Sequence, residues 1–249
     1  MNDISLFLAY SLVIIAMLMS YKEKIGLEKD LFIGSIRAVI QLSAIGFVLK
    51  YVFNLDNAIL TSIILVLMVF NASAVAAKRG SGIIQARKIS FVSIMCGLVV
   101  TLGSLLLFNA ISYKPSEVIP VSGMVVGNSM VAVGLLFKNL LGGFESKRDE
   151  IEVKLCLGAQ PREAALTVIR DSIKTAMLPT VDSMKTLGIV QLPGMMTGLI
   201  LAGVAPTEAI KYQIMVAFML SGAVAITAAV ASYWAYRGFF TNLAQLRDL

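Results

Sequence analysis

Histidine is absent from this chain, and only 14% of its residues are charged. The commonest general base and the commonest transition-metal ligand are therefore both missing. The two cysteines, Cys96 in an apolar run and Cys156 in a charged segment, imply no disulfide framework. The chain contains no Gly-x-x-x-x-Gly-Lys-Ser/Thr phosphate loop, no Gly-x-Ser-x-Gly nucleophile turn and no His-Glu-x-x-His zinc motif. These absences argue against a membrane-embedded enzyme and mean that any ATP used is bound by another chain.

What the chain has in excess is apolar length. Hydrophobic residues make up 58% of it and the mean hydropathy is +0.85, outside the balance of soluble domains. A helix of roughly 20 apolar residues crosses a bilayer core with every backbone group bonded internally. We therefore expect an all-α polytopic transmembrane protein, a single domain over 1–249. About seven spans are expected, near 4–20, 31–53, 58–77, 91–111, 118–141, 187–204 and 214–236. The first is expected to be a retained anchor, because Asp3 rather than a basic cluster precedes it and no small-residue cleavage site follows.

The basic residues orient these spans. Lys22, Lys24 and Lys29, then Lys78, Arg79, Arg87 and Lys88, then the run from Lys138 to Lys185, then Arg237 and Arg247 all follow odd-numbered spans. The alternate loops carry only Lys50, Lys114 and Lys211. By the positive-inside rule the N-terminus is outside and the C-terminus inside. The net charge of +6 and pI near 9.3 follow from this asymmetry. They indicate loops facing lipid headgroups, and no nucleic-acid partner is expected.

One segment, 142–178, combines charge with a helical apolar pattern. Gly142-Gly143 is expected to end the fifth span, and 145–157 reads as a helix with Ile151 and Leu155 on its apolar side. Gly158 suits the left-handed residue after a helix end, and Pro161 suits the first turn of the next helix. Ala164, Ala165, Val168, Ile169, Ser172, Ile173 and Ala176 then recur at helical spacing, up to a kink or end near Pro179. Such a cytoplasmic helix-break-helix either lies on anionic lipid or docks a soluble partner.

Glu152-Val-Lys-x-x-x-Gly158-Ala159 resembles the loop, Glu-Ala-Ala-x-x-x-Gly, by which permeases of ABC transporters engage their ATPase, with Val153 and Lys154 in place of the two alanines. A more specific likeness covers most of the chain. Pro120-Val-Ser-Gly-Met-Val-Val-Gly-Asn-Ser-Met130, Leu157-Gly-Ala-Gln-Pro-Arg-Glu-Ala-Ala165, and Gln191-Leu-Pro-Gly-Met-Met-Thr-Gly198 with Leu201-Ala-Gly203 resemble the FetB-type permease family. Its members include bacterial iron-export permeases and plant proteins tied to aluminium tolerance and nucleotide-sugar export. The resemblance implies a permease in the cytoplasmic (inner) membrane. It would work as a homodimer with two copies of a separate ATPase, which binds ATP and Mg; this chain itself binds no cofactor. Glu152, Gly158, Ala159, Pro161, Arg162 and Glu163 are the expected coupling contacts, with Arg162 and Glu163 as exposed ionic contacts.

A transport path is expected where polar groups fall within spans, since these are costly unless they face protein or water. The candidates are Arg37, Gln41, Asn71, Asn128, Ser129, Asp182, Gln191, Met195 and Met196, with Lys185 expected as an i, i+3 partner of Asp182 near the cytoplasmic boundary. Gly123-x-x-x-Gly127 beside Asn128-Ser129 suggests close helix packing. Within the sixth span Pro193 is expected to kink a helix, with Gly194 and Gly198 completing a hinge. Met195 and Met196, with Met124 and Met130, are candidate soft ligands for a metal cargo, although adjacent helical residues point about 100° apart and methionine commonly serves packing. Iron or a related metal is the expected cargo. A nucleotide sugar, or an ATPase-independent transporter or channel, remains open.

Overall fold

Asn57 shows how local chemistry starts the helices that carry the fold: its Oδ1 accepts the N–H groups of Ile59 and Leu60 at 2.9 and 3.3 Å, capping a helix from Ala58 to Lys78. The computed structural model describes residues 3–241 and 243–247, with side chains from Tyr10 onward. Its helices are α1 (Asp3–Lys22), α2 (Glu28–Leu55), α3 (Ala58–Lys78), α4 (Ala86–Leu107), α5 (Pro115–Ser146), α6 (Arg148–Cys156), α7 (Pro161–Ala164), α8 (Leu166–Thr186), α9 (Gly194–Leu201) and α10 (Pro206–Ala235). The all-helical expectation holds: among the described residues there are no strands, only isolated bridges.

The chain divides into two units, residues 1–56 and 57–249. In the first, α1 and α2 are joined by a turn in which the Ser20 hydroxyl meets Glu28 Oε1 at 3.0 Å and accepts the N–H of Leu27 at 3.1 Å. Tyr10 and Ser35 hydroxyls lie 3.1 Å apart across the pair. The expected first span falls on α1, but the side chains of 4–9 lie outside the described residues.

In the second unit α5 is the strut. It packs against α3, α4, α8 and α10, and Val133, Leu136, Phe137, Leu140 and Phe144 on it are fully buried. The close approaches occur where a neighbour presents glycine. A Cβ on Gly97 of α4 would lie 2.1 Å from Thr227 Oγ1 of α10, and one on Gly143 of α5 would lie 2.7 Å from Val168 Cγ1 of α8. Small residues let helix backbones approach where burial against lipid supplies no driving force. The expected Gly123-x-x-x-Gly127 seam is not one of these places: Gly123 meets only Met68 Cε at 3.3 Å and Gly127 faces open space.

Among the described residues five helices, α2, α3, α4, α5 and α10 (the last extended by the 3-10 turn Tyr236–Phe239), are long and apolar enough to cross a membrane. The expected seven spans are corrected at the sixth. Residues 187–204 do not form a helix; 187–193 are turns, and α9 is eight residues long, about 12 Å. Two further expectations change with it. Gly142-Gly143 does not end the fifth span, because α5 continues to Ser146 and Gly143 serves the contact with Val168. The helix expected to be kinked or to end near Pro179 does not end there: it continues as α8 to Thr186, with Pro179 inside it.

Replacing Gly97 with valine should force α4 away from α10 at a cost of about 1–3 kcal/mol. At roughly 2–4 °C per kcal/mol for a chain of this size, thermal unfolding in detergent should show a clear drop in midpoint. Gly103→Val, where no atom lies within 4 Å of the added Cβ, should show much less.

Candidate functional site

The register of α8 on α5 places the site. Val168 meets Gly143, the Ser172 hydroxyl lies 3.1 Å from Asn139 Oδ1, and Thr180 and Ser183 line one cavity with Asn128. Fifteen residues along α8 thus match fifteen along α5 in the opposite sense, about 22 Å. The helix expected to lie at the cytoplasmic surface therefore follows α5 from its C-terminal end to its middle.

There the chain breaks. Gly188 takes φ +80°, a left-handed conformation that costs glycine least, and its N–H bonds to Gln191 O at 3.0 Å. The carbonyl of Thr186 accepts from Ile189 and Val190 at 3.3 and 3.0 Å. Pro193 is the N-cap of α9 with an extended ψ of 149°, not a kink within a helix, and its carbonyl accepts from the Thr197 N–H at 3.0 Å. The expected kink is corrected accordingly: Pro193 follows a non-helical turn, while Gly194 and Gly198 lie in α9 with open space around them.

The break leaves a cavity of about 180 Å³ lined by Asn128 of α5, Thr180 and Ser183 of α8, Gln191 and Pro193, and Gln213 of α10, with Met184 and Leu187 nearby. Five of these are neutral hydrogen-bonding side chains. Gln213 Oε1 is buried with no hydrogen-bond partner among the described residues, an acceptor whose desolvation the protein does not compensate. A second, largely apolar cavity of about 470 Å³ adjoins it, sharing Met184, Leu187, Pro193, Gln213 and Ala217 and adding Met196, Ile214 and Phe218.

Of the expected path residues, Asn128 and Gln191 come together here. Ser129 instead is fully buried and accepts a hydrogen bond from Thr227 at 3.2 Å, so it joins α5 to α10. Asp182 and Lys185 pair at 3.1 Å at the C-terminal end of α8, beside Ser183. Asn71 is exposed on α3, and Arg37 and Gln41 are exposed on α2 in the first unit. The two methionines expected to act together do not converge: Met195 packs on the hydrophobic core and Met196 lines the larger cavity. Met124 and Met130 also pack on the core. Among the described residues no three acidic or cysteine side chains cluster as a metal site. Thr180, Ser183 and Gln213 were not legible as site residues; the first two fell between the expected surface segment and the sixth span, and Gln213 lay one residue before the expected start of the last span.

The break expected within 142–178, between a helix ended by Gly158 and one begun by Pro161, is present. Gly158, at φ +90°, ends α6, with its N–H on Leu155 O at 2.9 Å and the Ala159 N–H on Lys154 O at 3.0 Å, the paired bonds of a glycine-terminated helix. Gln160 and Glu163 form a capping box around Pro161 at the start of α7. Glu163 is thus used internally, and Arg162 lies 5.3 Å from the ring centre of Tyr233 on α10. Glu152 pairs with Arg148 at 2.9 Å. Lys154, hydrogen-bonded to Glu150 and adding its charge, holds that carboxyl below its usual range. With these charges paired inside the segment, the unpartnered feature is apolar: Leu157, 82% exposed, projects beside Gly158. The segment is seated by Ile151, Ala164 and Ala165, all buried, and by Phe144, whose ring stacks on Phe239 at 4.0 Å.

A thiol at the cavity should meet water, whereas one on a lipid-facing helix should not. With Cys96 and Cys156 replaced, Ser183→Cys should react with a water-soluble maleimide on the order of tenfold faster than Val99→Cys, since only hydrated thiols ionise readily. Equal rates would show the cavity to be dry.

Comparison with known proteins agrees with this architecture. The chain is 48% identical over 242 residues to the "Probable iron export permease protein FetB" of Escherichia coli (strain K12), covering 97% of this chain and 93% of that one. It is 37% identical to the "UPF0014 membrane protein STAR2" of Oryza sativa subsp. japonica, covering 96% and 84%. It is 34% identical to "Protein ALUMINUM SENSITIVE 3" of Arabidopsis thaliana, covering 96% and 88%. No solved structure matches it significantly. With residues 3–240 matching the model of the family described as "Uncharacterised protein family (UPF0014)", this multi-pass membrane protein belongs to that family of permeases.

Proposed function

We propose that this chain is the permease subunit of an ATP-driven ABC exporter in the cytoplasmic membrane. Its cargo is iron or a related metal, and it acts as a homodimer with a separate ATPase that binds ATP and Mg. The observation that carries this reading is the continuous linkage from the coupling segment to the cavity. α7 and α8 are separated by Ala165 alone, and α8 runs about 22 Å along α5 from Val168 to Ser183 at the cavity edge. A push on α6 and α7 is delivered to the 187–193 turn, where backbone can move without breaking a long helix. Leu157 is the side chain offered to the ATPase, and Gly158 shapes the turn that presents it.

The chemistry of the cavity favours a metal over a nucleotide sugar. No Arg or Lys lines it, or the apolar cavity that adjoins it, to meet a diphosphate. Amide and hydroxyl oxygens suit a metal that keeps most of its own oxygen ligands, rather than one stripped and held by paired thioethers.

Leu157→Asp, on an exposed side chain, should leave thermal unfolding unchanged within about 0.5 kcal/mol and yet abolish co-purification with the ATPase. Gln213→Leu should keep the ATPase and lower ATP-driven cargo movement by on the order of tenfold, the cost of one buried hydrogen bond to cargo. Both are read in proteoliposomes with and without ATPase, offering iron and UDP-glucose. Cargo movement with no ATPase present would reject the ABC reading, and movement of the sugar alone would reject the metal.

A further inference from the structure

The start of α4 carries an excess of positive charge for which the fold supplies no partner. No acidic residue occurs between Asp56 and Glu117, while Lys78, Arg79, Arg87 and Lys88 lie at the α3–α4 connection. Among the described residues none of these four makes an ion pair. The first turn of α4 has no acidic side chain and its N-cap, Gln85, makes no side-chain cap, so the positive end of the helix dipole adds to the two cations beside it.

Two of these cations, Arg87 and Lys88, line an apolar groove. Phe70 of α3 and Phe91 and Val92 of α4 complete its walls, with a volume of about 340 Å³. Ser73, also in the lining, turns its hydroxyl back onto Phe70 O at 2.7 Å and so adds no polar demand. The Arg87 guanidinium lies 4.6 Å from the centre of the Phe70 ring, and exposed Lys88 is its neighbour in sequence. A groove walled by apolar side chains and by two cations, on helices of membrane-crossing length, complements one kind of molecule. A soluble anion would leave the groove empty, and an uncharged lipid would leave the cations unmatched.

We propose that this groove is a binding site for an anionic phospholipid. The headgroup phosphate is held by Arg87 and Lys88 at the α4 N-terminus, and one acyl chain lies along Phe70, Phe91 and Val92. The site binds a structural lipid at the α3–α4 pair and does not depend on the cargo or ATPase assigned above.

The purified chain, offered equal phosphatidylglycerol and phosphatidylcholine in detergent, should retain phosphatidylglycerol preferentially in native mass spectrometry. The double variant R87Q/K88Q should lower that preference by about fivefold per cation removed. Val92→Trp, which fills the groove and keeps both charges, should also lose retained lipid, whereas Lys78→Gln, outside the groove, should not. Unchanged thermal unfolding of the variants separates lipid loss from misfolding. Equal retention of the two lipids by the parent chain would overturn the proposal. So would an effect of Lys78→Gln as large as the double variant's, which would mean diffuse attraction to anionic surfaces. Displacement by soluble glycerophosphate as effective as by lipid would mean an anion site with no acyl component.

Discussion

A polypeptide that stops being helical among apolar helices must still satisfy its backbone, and the 187–193 turn shows how this chain meets that constraint. Thr186 O takes the amides that would have continued α8, Gly188 closes onto Gln191, and Pro193 arrives at the point where a donor is not needed. The cavity exists only because α8 ends here. A continuous helix over the same residues would lay its side chains across the space between Asn128 and Gln213.

The position of that break is set by α5. Gly143 lets α8 approach at Val168, and Ser172 with Asn139 continues the contact, so that Ser183 arrives opposite Asn128. The same strut fixes the other end of the linkage, where Phe144 stacks on Phe239 and Arg162 reaches Tyr233. Packed helices of this kind have few soft degrees of freedom, so motion concentrates where packing stops. One such place follows α8 in sequence, the 187–193 turn, and one precedes it, the Gly158 turn.

The break at Gly158 and Pro161 was legible because its signals are local. A glycine after one helix and a proline starting the next depend on backbone geometry within a few residues, and both appear where the pattern requires them. Asn128 and Gln191 were legible because an amide in an apolar run is conspicuous. Ser129, its neighbour, was equally conspicuous but turned out to hold two helices together, since the face of a helix that meets a partner is not a property of the residue itself. Gln213 escaped notice because boundary placement by hydropathy is uncertain by a residue or more, and it lies at such a boundary.

Composition and charge asymmetry alone determined that this is a multi-helical membrane protein, because burial in lipid acts on every residue and its signature accumulates along the chain. Gly158 and Pro161 determined also the break between α6 and α7, through backbone geometry within a few residues. Only the tertiary structure decided that the sixth apolar stretch is broken, that α8 follows α5 into the helical core, and which polar side chains share a cavity. Hydropathy averages over a window and is blind to whether that window is one helix or a turn and a short helix. Convergence of Asn128, Ser183, Gln191 and Gln213 depends on distances between segments, which only packing sets.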